Sequence, residues 1–272
     1  MTTLTVPDTG HTTGGGLHGA IAAEWTKLWS VRSTWWSLTA SVVLTLGYTV
    51  LTAISVRVQA DDGSEALQMG APEIAASAVF YLAQFTVLAW ATMTIAGEYG
   101  TGSIRSTLQW VPVRTRMLLA KLTVLAPILC VLGVVLGATS TGLAALTMGG
   151  AGTPSDFGDA VEMSLAIAVY CALLGALTLG IGTALRSVAG TITMTFMLLL
   201  VVPMLLAAIG LRAAGDYLPG LAGLNLMFGQ DGINPITGMP SPYPQAVALV
   251  VLAAWALLAL GVGATLLRRR DA

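Results

Sequence analysis

The sequence predicts an all-α polytopic membrane protein with six transmembrane helices, cytoplasmic N- and C-termini and an N-terminal interfacial amphipathic helix. Of its 272 residues, 56% are hydrophobic and only 9% are charged, whereas a soluble domain carries about 25% charged residues. Six runs of 22 to 27 residues contain no Asp, Glu, Lys or Arg, and a helix needs only about 20 apolar residues to cross a bilayer. This composition excludes a soluble enzyme, a disordered chain and a nucleic-acid-binding protein.

The chain begins with two segments that do not span. Residues 1–20, rich in Gly and Thr, predict a disordered cytoplasmic tail. Residues 21–34 predict the interfacial amphipathic helix, because apolar residues recur on one helical face. That face carries Ile21, Trp25, Leu28 and Trp29, while Glu24 and Lys27 lie elsewhere. Glu24, Trp25, Lys27 and Trp29 are therefore the candidate interfacial residues. The alternative to an interfacial helix is an aromatic belt at the start of span one, preceded by a frayed, irregular segment.

Residues 35–272 predict a single six-helix transmembrane domain. The predicted spans are about 35–56, 74–96, 122–148, 163–185, 188–211 and 246–267. Helix is expected because lipid cannot satisfy the backbone of an open strand. The runs also lack the alternation that marks transmembrane β-strands.

The distribution of charge predicts the orientation. An even number of spans places both termini on one side, and ten of the twelve Lys and Arg residues fall on that side. They are Lys27, Arg32, Arg105, Arg114, Arg116, Lys121, Arg186, Arg268, Arg269 and Arg270. Because positive residues accumulate in cytoplasmic loops, both termini are predicted to be cytoplasmic.

The spans exclude most catalytic chemistry. Ion-coupled transporters and proton pumps use ionisable groups at membrane depth, but here Glu73 and Glu162 lie only at the external edges of spans. Backbone carbonyls at unwound helices can still bind sodium, so this exclusion applies only to ion sites built from charged side chains. The only two lysines, Lys27 and Lys121, do not lie in a phosphate-binding loop motif. We therefore predict a non-catalytic chain without catalytic, cofactor-binding or metal-ligating residues, so another polypeptide must supply energy for any uphill transport.

The loop between spans two and three predicts a short cytoplasmic helix. Glycines at 97, 100 and 102 precede it, and Thr101 or Ser103 can cap it. Pro112 ends it, because the residue before a proline avoids the helical region. Such a helix could receive a push from a cytoplasmic partner. An ordinary positively charged loop is equally compatible with the spacing.

Two segments together resemble a known family. Residues 24–36 (EWTKLWSVRSTWW) and the loop 97–105 (GEYGTGSIR), followed by Pro112 and Arg114, are similar to bacterial ATP-binding-cassette (ABC) transporter permeases of the ABC-2 exporter family. Six spans with cytoplasmic termini agree with this resemblance. It implies that the loop forms a coupling helix that docks on a separate ATP-hydrolysing subunit. The candidate coupling residues are then Glu98, Tyr99, Ser103, Ile104 and Arg105.

The resemblance also implies a function. The chain would be the permease subunit of an exporter in the bacterial plasma membrane, with ATP bound by a cytoplasmic ABC ATPase subunit and a second permease copy completing a homodimer or heterodimer. The charge-poor spans favour a hydrophobic or amphiphilic cargo: a drug, a natural product or a lipid, as in multidrug or natural-product resistance. Beyond the lipid bilayer no further partner is implied, and no nucleic acid. Two alternatives remain, a membrane-embedded sensor or assembly protein and a passive channel.

Two further patterns concern packing. Gly133 and Gly137 in span three allow close approach of another helix, although such spacings also arise by chance in a glycine-rich chain. In the long external loop, residues 218–228 are apolar. They can dip back into the membrane or cap an exit path, or they can form a surface loop.

Overall fold

The computed structural model describes residues 16–62, 69–110, 113–229 and 238–269, apart from the side chains of residues 105, 108 and 110. Ten helices cover most of these residues, and no strand occurs among them. They are α1 (Leu17–Ser30), α2 (Arg32–Asp61), α3 (Ala71–Thr101), α4 (Ile104–Trp110), α5 (Arg114–Met148), α6 (Phe157–Leu185), α7 (Val188–Ala208), α8 (Arg212–Gly215), α9 (Pro219–Phe228) and α10 (Gln245–Arg269). The predicted all-α class is confirmed.

Six of these helices are long and apolar enough to cross a membrane, namely α2, α3, α5, α6, α7 and α10. Each corresponds to one predicted span, so the chain is a multi-pass membrane protein. The helices generally extend past the charge-free runs because polar residues continue the helix into the interface. The fifth spanning helix, α7, is the exception: it ends at Ala208, three residues before the predicted limit of 211.

The N-terminal boundaries differ from those predicted. Helix α1 begins at Leu17 instead of residue 21, so residues 17–20 belong to a helix and not to the tail. The predicted amphipathic segment 21–34 is also divided, because Val31 is extended and separates α1 from α2. Ala20 is buried, and this tertiary contact explains the earlier start. Residues 1–15 of the predicted tail lie outside the described part of the chain.

Helices α3 and α6 occupy the centre, and most of the apolar window of each is buried, whereas α2, α7 and α10 are mainly exposed. Glycines set the closest contacts. A Cβ at Gly133 of α5 would lie 2.5 Å from Ala168 Cα of α6, and a Cβ at Gly137 would lie 2.8 Å from Ser164 Cα. The glycine pattern of span three therefore serves helix packing within one chain.

A polar pair lies in the centre of the bundle. Tyr170 of α6 donates a hydrogen bond to Gln84 Oε1 of α3 at 2.6 Å, and both residues are fully buried. Gln84 directly follows a π-helical turn, Val79–Ala83. The pair joins the two central helices by a bond that apolar packing does not supply.

The apolar segment of the predicted external loop forms helix α9, and all ten of its residues are buried. Two of its glycines permit this burial. A Cβ at Gly220 would lie 1.7 Å from Leu199 O in the second π turn, Met197–Val201, and one at Gly223 would lie 2.2 Å from the Tyr170 ring. The surface-loop alternative is therefore wrong for residues 219–228.

Candidate functional site

Four charged side chains meet where α1, α3 and α5 come together; we name Glu24, Lys27, Glu98 and Lys121 the charge cluster. Lys121 Nζ of α5 donates to Glu24 Oε2 of α1 at 2.8 Å and to Glu98 Oε1 of α3 at 2.5 Å. Lys27 Nζ of α1 donates to the same oxygen of Glu98. Three elements far apart in sequence are thus joined by one ionic network.

The charge cluster is unevenly buried. The side chains of Glu98 and Lys121 are 4% and 2% exposed, whereas that of Lys27 is 40% exposed. Charges removed from water are tolerated when they are paired and hydrogen-bonded, and two carboxylates here balance two ammonium groups. The cluster therefore holds α1 against α3 and α5 through ion pairs in which each buried charge has an oppositely charged partner.

Helical geometry explains how the cluster forms. Glu24 and Lys27 are three residues apart on α1, so they share a face. Glu98 lies in the last turn of α3, and Lys121 lies two turns into α5. Lys121 directly precedes the charge-free run of α5. Its ammonium group lies at the edge of the apolar core, where an unpaired charge would be costly, and it is paired there with two carboxylates.

A cavity of about 70 Å³ adjoins the charge cluster. Glu24, Lys27, Glu98 and Lys121 line its polar end. Its remaining lining is mostly apolar and consists of Leu28, Val31, Ser33, Thr34, Trp90, Met93, Thr94, Val124 and Leu125. The cavity thus combines a charged wall with an apolar one.

Tyr99, the residue after Glu98, binds a different helix. The guanidinium carbon of Arg186, at the end of α6, lies 5.2 Å from the centroid of the Tyr99 ring, which is within the range of a cation–π contact. Arg186 adopts a left-handed conformation with φ of 55°, and its backbone N–H donates to Gly182 O at 2.9 Å. The C-terminal turn of α3 is therefore held from one side by Lys121 and from the other by Arg186.

Helix α4 occupies the predicted coupling loop. Gly102 ends α3 in the left-handed conformation, with φ of 72°, and this turn lets the chain reverse. The hydroxyl groups of Thr101 and Ser103 are 3.0 Å apart, and Thr107 N–H donates to Ser103 O at 3.1 Å. The structure therefore contains a short helix at the place where the glycine-rich loop predicts one; Pro112, expected to end it, lies outside the described residues.

One buried residue anchors α4 to the bundle. Ile104 is 4% exposed and belongs to an apolar cluster with Ile95, Met117, Leu118, Leu179 and Leu267. Ser106 and Gln109 of the same helix are exposed. Arg114, just after α4, donates from Nη1 to Leu267 O of α10 at 2.7 Å. A partner that contacts the exposed side of α4 would therefore press on a helix seated directly on α3, α5 and α10.

The predicted site residues fall into two groups. Glu24 and Lys27, predicted as interfacial residues, belong to the charge cluster, where Glu24 contacts Lys121 and Lys27 contacts Glu98. Trp25 and Trp29 form an aromatic pair with ring centroids 5.7 Å apart, and Trp25 is half exposed. The side chain of Arg105 lies outside the described part of the chain.

The candidate site residues predicted from the sequence do not include Lys121, Arg186 or Arg114, although Arg114 belongs to the segments that carry the family resemblance. One signal could have identified Lys121: it is flanked on both sides by apolar residues, which is an unfavourable place for an unpaired ammonium group. Arg186 and Arg114 carry no comparable signal, because their contacts depend on how distant helices pack.

Within the described residues, no group of three or more His, Cys, Asp or Glu side chains could hold a metal ion. The site is thus an arrangement of ion pairs, a cavity and an exposed short helix. No family model and no curated protein matches the chain.

Proposed function

We propose that this chain is the membrane-spanning permease subunit of an ABC exporter in a bacterial plasma membrane. It moves a hydrophobic or amphiphilic compound, a drug, natural product or lipid, with energy from ATP hydrolysed by a separate cytoplasmic subunit. Two permease copies, identical or related, form the transport unit. The carrying observation is helix α4, which exposes Ser106 and Gln109 while Ile104 anchors it in the bundle.

The mechanical connection of α4 supports this proposal. Closure of two ATPase subunits must displace spanning helices, so the contacted element must be stiffly joined to them. Three sets of contacts make this connection: the Ile104 cluster, the Tyr99–Arg186 contact and the charge cluster. Together they involve α1, α3, α5, α6 and α10. A push on α4 would reach the two central helices, α3 and α6, without crossing a flexible linker.

Site-specific photocrosslinking tests the partner. Benzoylphenylalanine is placed at Gln109, exposed on α4, and at Ser155 as a control; Ser155 is exposed in the connection between α5 and α6, on the predicted external side. Irradiation of native cells should join position 109, and not position 155, to a soluble protein with a phosphate-binding loop. A kinase or another regulator captured at 109 would instead favour the sensor alternative. Absence of any protein adduct at 109 would contradict the proposal.

Once the ATPase subunit has been identified, a charge reversal tests the coupling between ATP hydrolysis and export. Arg105→Glu should leave the complex assembled but reduce both cargo-stimulated ATP hydrolysis and export by about tenfold, the effect of about 1.4 kcal/mol at a docking contact. Arg116→Glu is the matched control, because Arg116 is exposed at the same end of the bundle but lies outside α4. Equal export by the Arg105 variant and the parent protein would overturn the coupling role. Cargo flux through liposomes without any ATPase would favour the channel alternative.

A further inference from the structure

The cavity beside the charge cluster has the construction of a ligand site. It lies between α1, the start of α2, α3 and α5, with buried charged groups in its lining. Leu28, Trp90 and Leu125 form its apolar interior, and all three are buried. Val31 and Met93 line it where the side chains are exposed. An occupant can therefore place a polar group inside while its apolar part extends outward between α1 and α3.

Glu98, which lines the cavity, has one carboxylate oxygen without a hydrogen-bond partner among the described residues. Glu98 Oε1 accepts hydrogen bonds from both Lys27 and Lys121. Glu98 Oε2 is also buried, and it has no hydrogen-bond partner within the described part of the chain. An unsatisfied buried carboxylate oxygen is costly and needs an explanation in a native site. A bound hydrogen-bond donor would satisfy it.

The charge balance of the cluster selects the kind of donor. Two carboxylates and two ammonium groups already neutralise each other. A charged ligand would leave a net charge in a poorly solvated site, which is unfavourable. A hydroxyl or amide N–H group donates a hydrogen bond without adding charge.

We propose that this cavity binds an uncharged amphiphile, which donates a hydrogen bond from a hydroxyl or amide group to Glu98 Oε2 and lays its apolar body along Trp90 and Met93. The volume, about 70 Å³, is well below the roughly 300–1,000 Å³ of a site that encloses a whole drug-sized ligand. It therefore encloses the polar group and the first carbons, and the rest of the molecule lies in the bilayer at the end predicted to be cytoplasmic. Binding itself does not depend on the proposed function; only the identification of such amphiphiles as cargo rests on it.

Photolabelling of the full chain in nanodiscs tests the site. The probes are dodecanol, dodecylamine and dodecanoic acid, each with a diazirine near the polar group, and the adducts are mapped by mass spectrometry. The alcohol should label residues lining the cavity, such as Leu28, Trp90 and Met93, saturably and about tenfold more than the amine or the acid, which corresponds to about 1.4 kcal/mol of discrimination. Equal labelling by all three probes, or no saturable labelling of these residues, would overturn the proposal.

Two variants show whether labelling arises in the cavity. Met93→Trp fills the exposed end of the cavity without changing any charge, so labelling by the alcohol should fall about tenfold, again about 1.4 kcal/mol. Met204→Trp makes the same substitution at an exposed methionine of α7 that does not line the cavity, and it should have no effect. Labelling that is unchanged in the Met93 variant would contradict the assignment.

Competition identifies the source of the ligand. Dioctanoylglycerol represents an uncharged lipid of the bilayer, and oestradiol represents a rigid hydroxylated compound that could be exported. Displacement of the probe by only one of them assigns the site to that class, and displacement by neither would overturn the proposal. All arms use the permease alone, so a missing ATPase partner cannot produce a negative result, and a negative result here leaves the crosslinking test at Gln109 unaffected.

Discussion

At the scale of single residues, two lysines with the same partner stand in different surroundings. Lys27 and Lys121 both donate to Glu98 Oε1, but the side chain of Lys27 is 40% exposed and that of Lys121 is 2% exposed. An exposed ion pair contributes little to stability because water and salt screen it. Loss of one member of a buried pair is costly because it leaves a charge uncompensated. The ion pairs of Lys27 and Lys121 with Glu98 therefore contribute differently to the stability of the fold, although both lysines bind the same oxygen.

This difference gives a paired prediction. Lys121→Met should lower the free energy of unfolding by about 3–5 kcal/mol, because Glu24 then loses its contact with Lys121 and Glu98 keeps only Lys27. Lys27→Met, the same change at the exposed member, should cost less than about 1 kcal/mol. Thermal unfolding of the purified proteins in one detergent compares them. Equal losses of stability in the two variants would contradict the burial argument.

The buried pair Gln84–Tyr170 gives a second prediction at this scale. Tyr170→Phe removes the donor to Gln84 Oε1 and leaves that oxygen buried without a partner, which should cost about 1–3 kcal/mol of stability. Tyr81→Phe is the control, because Tyr81 is half-buried in the same helix as Gln84, and it should change stability little. The comparison uses thermal unfolding, and equal unfolding temperatures for the two variants would count against the pair.

At the scale of elements, a proline and a glycine explain how α9 is seated. Pro203 of α7 has no N–H group, so the carbonyl four residues earlier, Leu199 O, loses its usual helical donor. Gly220 of α9 packs directly against that carbonyl, where a Cβ would lie only 1.7 Å away. The irregular part of α7 therefore provides a place where another backbone can approach closely.

A methyl group at this contact should displace α9. Gly220→Ala is expected to destabilise the protein by at least about 1–3 kcal/mol, the range for an overpacked interior, because the clash is with backbone and not with a side chain that can move. Gly142→Ala in α5 is the control, since a Cβ there meets nothing within 4 Å and should be neutral or slightly stabilising. Thermal unfolding of both variants measures the difference in stability. An unchanged stability of the Gly220→Ala variant would contradict the close packing of α9 against Leu199.

Some of these elements could be predicted from the sequence, and others could not. The spans were predictable because lipid demands long charge-free helices, and the short helix α4 because Gly102 and Ser103 specify a turn and a helix start. The start of α1 at Leu17 was missed because the tertiary burial of Ala20, and not a local pattern, extends that helix. The charge cluster was missed because it joins residues 24, 98 and 121, and no single-sequence pattern pairs positions so far apart.

At the scale of the whole molecule, the two ends of the bundle differ in chemistry. Lys27, Arg114, Lys121 and Arg186 lie at one end in contact with carboxylates, a helix C-terminus or an aromatic ring. At the other end, Glu73, Asp159 and Glu162 line a cavity of about 230 Å³. The folded chain thus keeps the charge asymmetry on which the predicted orientation depends.

Cysteine accessibility tests this orientation. Ser106→Cys places a thiol on exposed α4, and Ser155→Cys places one in the exposed connection between α5 and α6. A membrane-impermeant maleimide on intact cells should modify position 155 and spare position 106, and inverted vesicles should give the reverse, because positive residues accumulate on the cytoplasmic side. The unsubstituted chain is the blank, since Cys130 and Cys171 lie within the spanning helices α5 and α6. Modification of position 106 in intact cells would place α4 outside the cell, where no ATPase could reach it, and would remove the proposed function together with the predicted topology.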